Sequence, residues 1–189
     1  MDITLPDWAE RFGVDGARYA TDRDRMQLAV ELSRANVEHR TGGPFGAAVF
    51  HRGSGAIAGL GMNLVLALQN SVLHAEVVAL MMAERTAGSF RLDDAAGGYE
   101  LVTSCEPCAM CVAAMHIAGI AKLYYAASLA QSGEAFEGVT VAARHPIDVE
   151  ALRIEAGSPF ERRRLPAEQK MDDEAVRILS AWAAPRRTA

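Results

Sequence analysis

At 189 residues, 50% hydrophobic and 23% charged, the chain has the composition of one globular domain able to bury a full core. A formal net charge of −5 and a sequence pI near 5.5 weigh against an extended phosphate-binding surface, which needs clustered Lys and Arg. The basic clusters, Arg162-Arg163-Arg164 and Arg186-Arg187, stand near the C-terminus. Residues Met1 to Pro6 lack a basic segment followed by an apolar run, and no apolar stretch approaches membrane-spanning length, so a cytoplasmic protein without a membrane partner is expected.

Residues 1 to 20 carry mixed signals, with Trp8 and Phe12 as packing anchors. Thr21 or Asp22 is placed to cap a helix whose apolar stripe is Met26, Ala29, Val30, Leu32 and Val37. The breakers Thr41-Gly42-Gly43-Pro44 should end it. Phe45 to Phe50 and Ala56 to Val65 predict two strands joined by the turn Arg52-Gly53-Ser54-Gly55, with Asn63 an unusual bare amide in the second strand. A helix from about Leu73 to Thr86 is apolar nearly all round and is expected to be buried. Tyr99 to Thr103 predicts a third strand, Pro107 the first turn of a helix ending at Gly119, and Ala121 to Ala126 a fourth strand. Ser128 to Gly138 reads as a polar segment, Val139 to Ala143 as a fifth strand, Gly157 to Gln169 as irregular, and Asp172 to Ala183 as a terminal helix. The alternation implies one layered α/β domain over residues 1–189, with its core at about 22–145 and the irregular segment and helix at about 146–189. Its sheet must be mixed, because the first hairpin is antiparallel.

Chemistry concentrates between His74 and Cys111. Three cysteines, Cys105, Cys108 and Cys111, form an odd, tight cluster that suits a metal in a reducing compartment better than a disulfide framework. A C-x-x-C alone could be a redox pair or half of a structural zinc site. His74-Ala75-Glu76 upstream adds one imidazole and one spare carboxylate. His74, Cys108 and Cys111 would give one zinc ion per chain three protein ligands and leave a fourth position open. Both half-motifs fall at predicted helix starts, where the helix dipole favours thiolates. Glu76, outside the ligand set, is the group left to move protons, against the plainer possibility of a capping carboxylate. Cys105 is expected to pack, and His116 to line the pocket or fill the core. His39, His51 and His145 lack any partner pattern and read as surface residues.

Together, His74-Ala75-Glu76 and Pro107-Cys108-Ala109-Met110-Cys111 match the H-x-E…P-C-x-x-C pattern of zinc deaminases. With Gly43-Pro44-Phe45-Gly46-Ala47 and Thr103-Ser104-Cys105-Glu106 added, the chain resembles the cytidine deaminase-like superfamily, and within it the guanine deaminase and nucleoside deaminase branch, over roughly Met26 to Gly138. The resemblance implies a three-layer α/β/α sandwich around a five-stranded mixed sheet, one catalytic Zn2+ per chain and a homodimer. It also implies hydrolytic release of ammonia from a small amino-purine base or nucleoside, guanine-like in kind. By the same resemblance Phe45 would stack on the ring, Asn63 would hydrogen-bond the base and Ala75 would bring a backbone group near it. Glu134 or Glu137 would read the purine N–H edge. Guanine deaminases carry an aromatic residue six positions after the second cysteine, where this chain has Ile117. Their Phe-Asp-Asp-like run is replaced by Ala135-Phe136-Glu137-Gly138. An editor of the tRNA adenosine deaminase type, or a cytosine or aminotriazine deaminase, is therefore the alternative within the superfamily. The acidic pI disfavours a nucleic-acid partner.

Overall fold

The computed structural model describes residues 3–12, 19–93 and 97–136. A 3-10 helix, Asp7–Phe12, precedes α1 (Asp22–Glu38). Thr21 caps α1 reciprocally: its hydroxyl accepts from the Asp24 N–H, and the Asp24 carboxylate accepts from the Thr21 N–H. The buried face of α1 is Leu28, Ala29, Leu32, Ala35 and Asn36. Val37, expected in that stripe, is half exposed instead, because the inward face passes through Ala35 and Asn36.

β1 (Gly46–His51) and β2 (Ile57–Met62) form the expected antiparallel hairpin. β3 (Tyr99–Cys105) pairs antiparallel with β1, and β4 (Lys122–Ala127) runs parallel to β3 after the crossover helix α4 (Ala109–Ala118). The sheet order is β2-β1-β3-β4, a mixed sheet. The expected fifth strand, Val139 to Ala143, lies outside the described residues, as do the irregular segment and the terminal helix. β2 ends at Met62, three residues before the predicted end, and Val65–Leu68 is a short helix, α2. The Asn63 side-chain oxygen accepts from the Val65 N–H (3.3 Å) and turns the chain out of the sheet, so Asn63 follows the strand rather than lying in it. The expected polar segment after β4 contains a helix, α5 (Leu129–Ala135), whose first N–H donates to Glu106.

Side chains alternate across the sheet. Ala48, Phe50, Leu60, Met62 and Val102 pack with Leu28 and Leu32 of α1. Ala47, Val49 and Leu101 pack with Ala79 and Leu80 of α3 (Ala75–Ala87) and with Cys111 and Met115 of α4. This is the α/β/α sandwich. Burial of a side chain such as Phe50 or Leu32 contributes about 1.5–3 kcal/mol each. The backbone of α3 lies directly on β2: a Cβ at Gly61 would meet the Ala75 carbonyl oxygen at 2.1 Å, and one at Gly59 the Ala79 carbonyl oxygen at 2.4 Å. Two glycines thus set the height of the helix start that carries His74 and Glu76.

Candidate metal and active site

Two helix N-termini meet at the C-terminal end of β3. His74 is the N-cap of α3 and Cys108 the N-cap of α4, each in an extended conformation (ψ 156° and 169°). Neither side chain caps its own helix, as Ser or Asp would at such a position. They turn towards each other instead. His74 Nδ1 lies 3.6 Å from Cys108 Sγ and 3.6 Å from Cys111 Sγ, and the two sulfurs are 3.6 Å apart. A tetrahedral zinc ion with ordinary Zn–S and Zn–N bonds needs donor separations of roughly 3.6–3.8 Å. The cluster fits such an ion, and it is the one group of three potential metal ligands among the described residues. Pro107, expected in the first turn of α4, stands just before the N-cap and leaves Cys108 that position.

The electrostatics suit a cation. Hydrogen bonds from Cys111 and His74 pull the Cys108 thiol down to about 4, while Cys111, bonded to Cys108 and buried, is pushed up. Metal binding would displace the thiol protons. The hydrogen bond to Cys108 also raises His74.

Glu76, in the first turn of α3, is 6% exposed. Its Oε2 accepts from the Cys111 thiol (3.5 Å) and its Oε1 from the Thr103 hydroxyl (3.3 Å). No Lys or Arg pairs with it among the described residues. Burial pushes its carboxyl above the usual carboxylate range. Thr103, which touches both Glu76 and the Gly46 carbonyl, was not singled out by the sequence; its place on β3 opposite Ala47 brings it there.

The residues expected to meet the substrate are partly assembled. Ala75 is fully buried between His74 and Glu76. Phe45 packs against the cluster that contains Ala75 and Cys111, and its ring centroid is 5.9 Å from that of Phe136. Asn63 is tied to the same loop, its N–H donating to the Phe45 carbonyl (3.0 Å). Glu134 is exposed on α5, and Glu137 lies outside the described residues. Ile117 is 71% exposed and His116 is also exposed on α4, so His116 does not fill the core. Cys105 is buried, as expected of a packing residue. His39 is exposed and stacks on Trp8; His51 is half buried beside Ser54; His145 lies outside the described residues.

A family model described as the cytidine and deoxycytidylate deaminase zinc-binding region matches residues 20–127. The chain belongs to that family. Guanine deaminase of Bacillus subtilis (strain 168) is 33% identical over 157 residues, covering 83% of this chain and 90% of that one. Its X-ray structure matches with a TM-score of 0.72 over 87% of this chain and 94% of that one. A guanine deaminase structure from Nitrosomonas europaea is 34% identical with a TM-score of 0.66, over 82% of this chain and 84% of that one. Another structure of the same identity and TM-score, over 82% of this chain and 80% of that one, is a complex with 2,6-diaminopurine. The tRNA-specific adenosine deaminase of Agrobacterium fabrum is 33% identical over 152 residues, 78% of this chain and 95% of that one. As a member of this family the chain is a zinc-dependent hydrolytic deaminase, and the resemblance read from its two motifs holds over the whole sheet.

Proposed function

We propose that this deaminase converts a small, guanine-like amino-purine to the oxo-purine with release of ammonia. The observation that carries the reading is Glu76, a buried carboxylate without a cationic partner among the described residues, beside three donors spaced for zinc. Bound zinc would supply Lewis acidity and lower the pKa of a coordinated water. Glu76 takes one proton of the attacking water and gives it to the ring nitrogen. It then takes the remaining hydroxyl proton of the adduct and gives it to the amino group, which leaves as ammonia while the carbonyl forms. A carboxyl raised by burial suits both directions of transfer. His74, Cys108 and Cys111 hold the metal. Phe45 stacks on the ring, the Asn63 amide hydrogen-bonds the base, Ala75 presents backbone to it, and Glu134 or Glu137 reads its N–H edge. The guanine deaminase relatives and the 2,6-diaminopurine complex support a purine-shaped substrate.

An ammonia-release screen over guanine, guanosine, adenine, cytosine, cytidine and aminotriazines tests this. Guanine or a close purine should be the best substrate. Activity confined to a tRNA anticodon loop, with none on free bases, would replace this reading with RNA editing, the activity of the Agrobacterium relative. The enzyme is also proposed to act as a cytoplasmic homodimer, since Met110, Val112 and Ile117 leave apolar side chains exposed along α4. Sedimentation of the wild type and of Ile117→Glu checks the dimer: the variant should shift to monomer.

A further inference from the structure

Asn36 sits in the last turns of α1 with no solvent exposure, where the stripe of buried side chains would take a leucine. All of its side-chain hydrogen-bonding groups are used. Its Nδ2 donates to the Gly43 carbonyl (2.8 Å) and to the Asn63 carbonyl (2.9 Å), and its Oδ1 accepts from the Thr41 hydroxyl (2.7 Å). The Thr41 hydroxyl in turn accepts from the Trp8 indole N–H (3.1 Å). Gly42 passes so close that a Cβ there would meet the Asn63 carbonyl oxygen at 1.9 Å and Asn36 Nδ2 at 2.7 Å.

The two carbonyls that Asn36 grips have something in common. One belongs to the loop that delivers Phe45 to β1; the other belongs to Asn63, at the end of β2. Phe45 and Asn63 are also joined directly, through the Asn63 N–H and the Phe45 carbonyl. Few side chains other than an amide of this length offer two donors on one nitrogen and an acceptor for Thr41. Leucine would fill the volume but take the amide donor from the Asn63 carbonyl and leave the Gly43 carbonyl only the Phe45 N–H, and aspartate would point a second acceptor at them.

We infer that Asn36 is a positioning residue for substrate binding: its buried amide clamps the Gly43 and Asn63 carbonyls and so fixes the separation of Phe45 and Asn63, the two side chains proposed to stack on and hydrogen-bond the ring. This rests on the proposed roles of those two residues. Asn36 touches neither the metal ligands nor Glu76 through any of these bonds. Its loss should therefore weaken ring binding and spare the chemical step.

The test is steady-state kinetics of zinc-loaded Asn36→Leu, Thr41→Val and Thr41→Ser on whichever amino-heterocycle the wild type deaminates best, with zinc content and thermal midpoint measured alongside. Asn36→Leu should raise KM about tenfold, the size of one or two lost buried hydrogen bonds, and Thr41→Val about threefold. Thr41→Ser, which keeps the hydroxyl, should restore the wild-type KM. In all three kcat should stay within about threefold and zinc at one per chain. Unchanged KM in folded Asn36→Leu, or a fall in kcat at constant KM, overturns the inference. Should Asn36→Leu fail to fold, Thr41→Val decides by the same criteria. A wild type that prefers a non-purine ring refutes the proposed substrate without touching this test, whereas unaltered KM in the variants of an active purine deaminase refutes the clamp alone.

Discussion

Two buried carboxylates stand at opposite ends of β3, and the protein treats them differently. Glu100, at the start of the strand, is 4% exposed and lies between two guanidinium groups: Arg25 of α1 bonds it directly, and Arg52 approaches to 3.9 Å. Glu76, beside the far end, is 6% exposed and, among the described residues, receives the Thr103 hydroxyl, the Cys111 thiol and its own backbone N–H, with no Lys or Arg. A buried charge that serves the fold is neutralised, since an unpaired one costs several kcal/mol. Among the described residues no Lys or Arg offsets Glu76, which reserves it for function. The neighbouring donor cluster shows what would stand beside it, a dication held by His74, Cys108 and Cys111.

Exchanging each carboxylate for its amide separates the two cases. Glu76→Gln should lower kcat by about 10²–10⁴-fold, the usual worth of a general acid–base group, while the variant still folds and binds one zinc. Glu100→Gln should do the reverse: chemical denaturation is expected to show a loss of about 3 kcal/mol as Arg25 loses its counter-ion, with kcat per folded molecule preserved. A variant of Glu100 that folds normally but is inactive would collapse the distinction. Gly61→Ala tests how the catalytic end is seated. Its methyl group would force α3 off β2 at Ala75, so a loss of about 1–3 kcal/mol should come with reduced activity. Thr21→Ala probes the other end, because Thr21 starts the helix that carries Arg25. It should cost about 1 kcal/mol with activity intact. Hydrogen bonds from Thr21 hold the Asp24 carboxyl below its ordinary value of 3.8. That contribution is present above pH 3.8 and lost as the pH falls through the lowered value, so the gap between thermal melts of the variant and wild type should narrow in acid to what the Asp24 N–H bond to the Thr21 hydroxyl supplies.

Much of this arrangement could be read from the chain because the chemistry needs rare residue types at fixed spacing. His74, Glu76, Cys108 and Cys111 announce themselves, and β1 and β3 follow from apolar runs that a sheet covered on both faces requires. What escaped reading depends on contacts far apart in sequence. Asn36 is one polar residue in an apolar stripe, and its purpose appears only when Gly43 and Asn63 converge on it. Thr103 gains its role from Glu76, 27 positions away. The orientation of α4 puts Ile117 outside, which its sequence distance from Cys111 does not reveal. α5 did carry a local signal: the Ser128 and Gln131 side chains each accept from the other's backbone N–H, a capping box in a segment read only for its polarity.

Ammonia release from guanine by the zinc-loaded wild type, beside a zinc-loaded Glu76→Gln control, is the most direct measurement. The expected result is one ammonia per guanine consumed by the wild type, and a control slower by about 10²-fold or more at equal zinc content. Equal rates in the two proteins would contradict the role given to Glu76, and no ammonia from any free amino-purine would contradict the substrate.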